Sequence, residues 1–150
     1  KLVAENFHLL HALDSLKLAQ KLDRSAGDLK RTLPVLLEFN VGGEASKSGW
    51  DASHLELWQA FYADVEAIVS LPNLQVCGLM TMPPLELQAE VSQGYFQKLT
   101  HLREELTKRF PRSNWHELSM GTSADFEAAV QAGATLVRVG TAIVGARQYS

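Results

Sequence analysis

The sequence has 150 residues, of which 46% are hydrophobic and 21% are charged, a composition typical of one globular domain with a buried core. Its 14 Lys and Arg residues against 17 Asp and Glu residues give a net charge of −3, which excludes a strongly basic surface for nucleic acid. A single cysteine excludes an intrachain disulfide and a four-cysteine zinc site, and no apolar run reaches the roughly 18–20 residues of a membrane span. We therefore expect one cytoplasmic domain over residues 1–150, with no membrane or nucleic-acid partner.

Apolar strand-like runs alternate with segments of helical periodicity along the whole chain. The predicted strands are Phe7–Leu13, Leu33–Val41, Leu74–Met80, His116–Gly121 and Thr135–Gly140. The predicted helices are Ser15–Arg24, Ser53–Ser70, Leu87–Phe110 and Ala124–Ala132. This alternation predicts an α/β fold whose parallel strands are joined by right-handed helical crossovers. A doubly wound sheet and a (β/α)8 barrel both fit this pattern.

The number of strands bears on the choice between these two architectures. A (β/α)8 barrel needs about 250 residues, so five strands would leave it incomplete. A doubly wound sheet of five strands fits the observed length of 150 residues. The chain starts at Lys1 rather than at Met and soon enters its first strand, so we expect it to be a piece of a longer fold.

Small and hydroxylated residues follow the last two predicted strands. Ser119–Ser123 ends one strand and opens a helix, and Arg138–Thr141 ends the next strand. Backbone N–H groups at such a turn lack helical partners and carry partial positive charge, which suits a phosphate group. The alternative interpretation is ordinary helix capping by Thr122 or Ser123, with help from Asp125 in the first turn. The two roles do not exclude each other.

Arg138 lies inside the apolar run Leu136–Val139, where an unpaired charge would be costly. It either forms an ion pair with a carboxylate on a neighbouring strand or donates hydrogen bonds to a ligand at the mouth of the sheet. We favour the ligand. In the second strand, we expect Glu38 or Asn40 to point to the same side, since these are the two polar residues at its end.

Other polar or sulfur-bearing residues give weaker signals. Met80 and Met82 follow a strand and are able to wall an aromatic ring, although core packing is the more common role of methionine. Lys47 lies on a glycine-rich loop at the same rim, where a solvated charge is the ordinary interpretation. Cys77 is interpreted as a buried, unreactive thiol.

The five histidines do not show the spacing of metal ligands. His8, His11 and His116 are interpreted as polar strand positions, and no metal site is expected. The glycine-rich fingerprints of dinucleotide and P-loop folds are absent, which counts against a doubly wound nucleotide-binding protein.

Four ordered segments resemble one family. They are Glu44–Gly49, Gly78–Met82, Leu118–Ala129 (LSMGTSADFEAA) and Val137–Arg147 (VRVGTAIVGAR). These blocks resemble the YggS/PROSC group of pyridoxal phosphate homeostasis proteins, which are similar to the barrel domain of alanine racemase. The resemblance implies a (β/α)8 TIM barrel that binds pyridoxal 5′-phosphate (PLP), with this chain supplying about strands four to eight and strands one to three absent.

The resemblance also implies roles for particular residues. Ser123 and the Gly140–Thr141 turn would hold the phosphate, and Arg138 would face the pyridine nitrogen and keep it unprotonated, which weakens the cofactor as an electron sink. The full set of candidate cofactor-binding residues is Asn40, Met120, Gly121, Ser123, Arg138, Gly140 and Thr141. The family's Schiff-base lysine would lie in the absent strands, and no lysine of this chain takes its place.

The implied function is binding, buffering or delivery of PLP, with no catalytic turnover, in a monomeric protein that serves PLP-dependent apo-enzymes. Thr122 departs from the family pattern, which usually has Met at that position. Two alternatives remain open at this point. One is a racemase-like PLP enzyme on the same barrel, and the other is a TIM-barrel enzyme that acts on a phosphorylated metabolite.

Overall fold

The computed structural model describes residues 1–84 and 89–145. Its sheet is parallel, and its main path runs β1-β2-β4-β5-β6, with the short β3 paired to β2. The strands are β1 (Leu10–Leu13), β2 (Leu33–Asn40), β3 (Trp50–Asp51), β4 (Leu74–Met80), β5 (Glu117–Thr122) and β6 (Leu136–Arg138). The five predicted strands and their parallel order are thus confirmed, with shifted ends.

The helices are α1 (Leu2–Asn6), α2 (Leu16–Asp28), α3 (Trp58–Val69), α4 (Ala89–Arg109), α5 (Phe126–Gln131) and α6 (Thr141–Val144), with one 3-10 turn at Leu55–Leu57. Of these helices, α2 to α5 connect successive strands of the main sheet, whereas α1 precedes β1 and α6 follows β6. Ser15 caps α2 by accepting a hydrogen bond from the Leu18 N–H. The predicted start of the third crossover helix at Leu87 and the end of the last motif at Arg147 lie outside the described residues.

The predicted first strand is wrong at its beginning. Residues Leu2–Asn6 form α1, and β1 starts only at Leu10. Ala4 is fully buried, and Arg31 donates to the carbonyls of Ala4 at 2.7 Å and of Phe7 at 3.1 Å. These bonds come from a residue 24–27 positions away, so the local apolar pattern could not reveal them.

The hydrophobic core lies between the sheet and the helices. On β2 the alternate residues Leu33, Val35, Leu37 and Phe39 are at most 1% exposed. They belong to one cluster with side chains of the crossover helices, including Phe61, Val65 and Ile68 of α3 and Phe96, Leu99, Leu102 and Leu106 of α4. This cluster fixes the strands of the sheet relative to one another.

The other face of the sheet is strongly concave. Nδ1 of His11 on β1 lies 2.9 Å from Oγ of Ser119 on β5, although β2 and β4 separate these strands. Three strand spacings of a flat sheet would hold them roughly 14 Å apart, beyond the reach of two such side chains. The sheet therefore curls as in a barrel wall, and it brings the carboxyl ends of its strands to one mouth.

Candidate functional site

A cleft of ≈ 220 Å³ opens at the carboxyl ends of the strands. Its lining comes from the ends of β5 and β6 and from the segments that follow β2 and β4. The lining residues are Lys47, Met82, Pro83, Gly121, Thr122, Asp125 and Arg138. This is the edge at which parallel α/β folds place their ligands.

The side chain of Arg138 lies at this cleft and bonds to the ends of two neighbouring strands. Its Nη1 donates to the carbonyl of Ser119 at 3.1 Å and to the hydroxyl of Ser119 at 2.8 Å. Its Nη2 donates to the carbonyl of Thr81 at 3.0 Å. Two strand ends therefore hold the guanidinium, and its Nε donates to no acceptor in residues 1–84 or 89–145.

The ion-pair alternative for Arg138 does not hold within the described chain, where no carboxylate lies within 4.0 Å of the guanidinium. Burial lowers the pKa of Arg138, and the more distant carboxylates of Asp125 and Glu38 partly offset that effect. A partly desolvated cation without a carboxylate partner is a group that an electron-rich ligand would stabilise.

Glu38 and Asn40 are two residues apart on β2 and therefore lie on the same face of the strand, opposite the buried Phe39, and Glu38 lies near this arginine. Burial raises the pKa of Glu38, and so does the nearby Asp14 carboxylate, while Arg138 and Lys47 lower it. Asn40 uses its amide locally instead. Its oxygen accepts from the Gly43 N–H at 2.9 Å, and its nitrogen donates to the Glu44 carbonyl at 2.8 Å.

The turn expected to bind phosphate is already partly hydrogen-bonded. Oγ of Ser123 accepts from the N–H groups of Gly140 at 3.0 Å and Ala142 at 3.2 Å. The expectation that the N–H groups of this turn are unpaired is therefore wrong for these two residues. The Ser123 hydroxyl still has its own proton to donate, and the Thr141 N–H has no acceptor among the described residues.

Helix capping at this turn also differs from the expected pattern. The N-cap residue of α5 is Asp125, whose carboxylate accepts from the N–H of Thr122 at 2.6 Å and from its hydroxyl at 2.9 Å. Ser123 caps the start of α6 across the sheet rather than its own helix. The carboxylate therefore closes the β5–α5 turn, and Ser123 joins that turn to the β6–α6 turn.

Of the remaining candidate residues, one lines the cleft and one does not. Gly121 lines the cleft in a left-handed conformation (φ 90°), and a Cβ built there would lie 2.5 Å from Cβ of Ala129. Met120 is fully buried in the hydrophobic cluster on the helix side of the sheet. The structure thus places Met120 away from the cleft, because alternation along β5 turns it opposite to Ser119.

Of the methionines and the lysine expected at the rim, some line the cleft and one does not. Met82 and Lys47 line the cleft, whereas Met80 is only 5% exposed. Nζ of Lys47 lies 3.7 Å from a carboxylate oxygen of Glu44. Cys77 is only half-buried, contrary to expectation, but its partial burial raises the pKa of the thiol, which disfavours the reactive thiolate. In the part of the chain that the structure describes, no three His, Cys, Asp or Glu residues are grouped to hold a metal ion.

A comparison with known protein families identifies the domain to which the chain belongs. The family model of the alanine racemase N-terminal domain matches residues 1–148. The chain belongs to this family. The fold class predicted from the sequence, a parallel α/β sheet of the alanine racemase barrel type, is confirmed by this match and by the structure.

Curated relatives in this family carry the name of the group that the four motifs resemble. The chain is 43% identical over 150 residues to the pyridoxal phosphate homeostasis protein of Vibrio alginolyticus, covering 100% of this chain and 61% of the relative. It is 42% identical over 141 residues to that of Aquifex aeolicus, covering 94% and 59%. The resemblance is therefore confirmed, and the chain spans about three fifths of the length of these two relatives.

A solved structure gives the same result in three dimensions. PipY of Synechococcus elongatus, in a structure with PLP bound, superposes with a TM-score of 0.80 at 35% identity, covering 93% of this chain and 61% of PipY. Within residues 1–84 and 89–145 of this chain, no helix has the length and apolar character needed to cross a membrane.

Sequence reasoning missed two residues of the site. The sequence alone indicates a polar strand position for His11 and a turn position for Ser119, yet the two side chains meet on the concave face beside Arg138. The available signal was that each lies near the carboxyl end of a predicted strand. Parallel strand ends converge at one mouth only if the sheet curls, and the alternation of strands and helices by itself also fits a doubly wound sheet.

Proposed function

We propose that this chain is part of a PLP-binding protein of cofactor homeostasis and that the cleft at Arg138 is its cofactor site. The observation that carries the proposal is a partly buried guanidinium, held by Ser119 and Thr81, whose Nε lacks a described acceptor. The charges that line the cleft are Lys47, Arg138 and Asp125, a net positive set suited to a phosphorylated ligand. The PLP-bound PipY structure supports the choice of ligand.

The residues at the cleft fit the ring of PLP. A guanidinium is a permanent cation with donors only, so it suits the lone pair of an unprotonated pyridine nitrogen. PLP supplies an electrophilic aldehyde and an electron-accepting ring when it is bound. In the proposed pose Arg138 keeps the ring nitrogen unprotonated, because two cationic donors repel each other. Met82 and Pro83 offer an apolar wall beside the ring.

The same end of the sheet fits the phosphate. The Ser123 hydroxyl has a proton to donate, and the Thr141 N–H is without an acceptor in the described chain. In the proposed pose both donate to phosphate oxygens, while Lys47 faces the anion from the opposite rim. Asp125 does not oppose this arrangement strongly, since its Oδ1 already accepts two hydrogen bonds from Thr122.

We further propose that the protein carries PLP without turning over a substrate. Arg138 has no proton to give near neutral pH, and the carboxylate of Asp125 is committed to the β5–α5 turn. A racemase on this barrel would need an opposed acid and base in the same cleft. Delivery of PLP to apo-enzymes, a monomeric state and a cytoplasmic location belong to this proposal.

The placement of the chain within a barrel is part of the proposal as well. We infer that β1, β2, β4, β5 and β6 correspond to strands four to eight, with residues 1–150 forming one portion of a larger domain. In the described sheet β1 and β6 each have a single neighbouring strand, so both edges are available for the strands that would close a barrel. The Schiff-base lysine of the family would then lie on those further strands.

The proposal is tested by titrating the full chain with PLP and following the cofactor's absorbance. We expect saturable binding that Arg138→Ala and Ser123→Ala each weaken by about tenfold or more, since each removes a donor to a polar ligand group. Arg112→Ala and Ser113→Ala, in the loop after α4, are the matched controls and should bind as the wild type does. Pyridoxal without the phosphate should bind less tightly and be insensitive to Ser123→Ala. Equal affinity in all variants would contradict the proposed site.

A further inference from the structure

The hydroxyl of Ser119 links two charged or titratable groups inside the sheet. Ser119 is fully buried, and its Oγ lies 2.8 Å from Nη1 of Arg138 and 2.9 Å from Nδ1 of His11. A guanidinium only donates, so Oγ accepts from Arg138. The single proton of the hydroxyl is then available for Nδ1 of His11, provided that this nitrogen is unprotonated.

The surroundings of His11 favour the neutral imidazole over the imidazolium cation. Burial lowers the pKa of His11 most, the Arg138 cation lowers it further, and only the Glu117 carboxylate raises it. These charged groups face His11 from β6 and β5, and Glu38 of β2 shares the concave face. Neutral His11, in the tautomer that carries its proton on Nε2, accepts the Ser119 hydroxyl at Nδ1 and completes a chain of hydrogen bonds from β1 through Ser119 to Arg138.

We propose that His11 is a positioning residue, which fixes the guanidinium of Arg138 for its ligand by accepting the proton of the Ser119 hydroxyl. This inference rests on the proposed function, since the ligand that Arg138 meets is PLP. A protonated His11 is a donor at Nδ1 and turns the Ser119 hydroxyl away from this arrangement. Two donating cations would then share one hydroxyl oxygen, which weakens one of the three hydrogen bonds that orient Arg138.

The affinity for the cofactor should therefore depend on pH through the titration of His11. Affinity is greatest where His11 is neutral and falls as the solution is acidified through its titration. PLP titrates in the same region through its phosphate, so the comparison that matters is between variants in the same buffers. Any effect of the ligand's own titration is common to all of them.

Two substitutions separate positioning from mere packing. His11→Asn places an amide oxygen near the position of Nδ1 and cannot be protonated in the working range, whereas His11→Leu has no acceptor. His8→Asn is the control, because His8 is exposed three residues earlier in the same segment. Thermal unfolding of each full-chain variant establishes that it is folded at the temperature of the titration.

At pH 8 we expect His11→Asn to bind PLP within about twofold of the wild type and His11→Leu about three- to tenfold more weakly, the range for one hydrogen bond. On acidification to pH 5.5 the wild type and His8→Asn should lose more affinity than His11→Asn. Superimposable pH profiles for the wild type and His11→Asn, or unchanged affinity in His11→Leu, would overturn the inference.

A second readout distinguishes this inference from the proposed function. The imidazole of His11 is titrated by NMR in the wild type and in Arg138→Met, without PLP. Removal of the cation should raise the pKa of His11, and an unchanged value would overturn the coupling. A wild type that does not bind PLP while showing this shift would contradict the proposed function, whereas the coupling between His11 and Arg138 would stand.

Discussion

His11 and Ser119 are 108 positions apart in the sequence and 2.9 Å apart in the structure, across two intervening strands. Their contact is possible because the parallel sheet is curled. The same curvature brings the ends of β4, β5 and β6 close enough for one arginine to bond to Thr81 and Ser119. The cleft is thus a product of strand order and curvature together.

The first prediction concerns the buried hydroxyl of Ser119. Ser119→Ala removes a partner from Arg138 and from His11, and each would be left without one hydrogen bond in a partly desolvated place. We expect the free energy of unfolding to fall by about 1–3 kcal/mol. Urea denaturation of the full chain measures it, with Ser70→Ala as the exposed control. A loss no larger than that of the control would contradict the account.

The second prediction concerns the turn after β5. Gly121→Ala forces a left-handed conformation on alanine and drives its Cβ against Ala129, and we expect a loss of about 2–4 kcal/mol of stability. Gly94→Ala is the matched control, and its effect on stability should have the opposite sign. A Cβ at Gly94 meets nothing within 4 Å and the residue lies in α4, so this change should stabilise by up to about 1 kcal/mol. Equal effects in the two variants would show that the turn is not strained as described.

The third prediction concerns the pH dependence that Glu38 contributes. Burial is the main reason that the pKa of Glu38 is raised in the folded protein. The protonated Glu38 therefore stabilises the fold fully at pH values below the pKa of the unfolded chain, near 4.5, and this stabilisation is lost as the pH rises through the pKa of the folded state. Glu38→Gln does not titrate, so it should gain stability over the wild type at pH 7 and lose that gain at pH 4.5. Denaturation at the two pH values tests this, with exposed Glu56→Gln as the control. A gain that is equal at both pH values would contradict the assignment.

The fourth prediction separates two roles for Asn40. In the structure, the side-chain amide of Asn40 bonds to the Gly43 N–H and the Glu44 carbonyl. Asn40→Ala should therefore open the loop after β2 and lower the free energy of unfolding by about 1–2 kcal/mol. Asn40→Asp keeps the acceptor for Gly43 and should be intermediate. Hydrogen exchange of the Gly43 N–H reports the opening, and Asn6→Ala, on an exposed local bond, is the control. Unchanged exchange with weakened PLP binding would instead favour a direct contact with the ligand.

Much of the fold follows from patterns that are local in the sequence. The buried strand β2 is an apolar run, α3 and α4 have helical periodicity, and polar residues collect where strands end. These features predicted the parallel α/β sheet and the edge that carries the cleft. Arg138 stood out because a charge inside an apolar run demands a partner.

What the sequence could not predict depends on contacts between distant segments. The helix Leu2–Asn6 is held by Arg31, and the conformation of the β6–α6 turn depends on Ser123 of the preceding unit. Met120 and Ser119 are neighbours on one strand, so the choice of which faces the cleft needs the register of β5. In each case the deciding partner lies more than 15 residues away or on another strand.

The most direct test of the central claim is a crystal structure of the full chain with PLP bound. The account predicts that the phosphate lies within hydrogen-bonding distance of the Ser123 hydroxyl and the Thr141 N–H, and that the pyridine nitrogen faces the guanidinium of Arg138. A cofactor bound elsewhere on the molecule, or bound in this cleft with its phosphate away from Ser123 and its ring nitrogen away from Arg138, would contradict it.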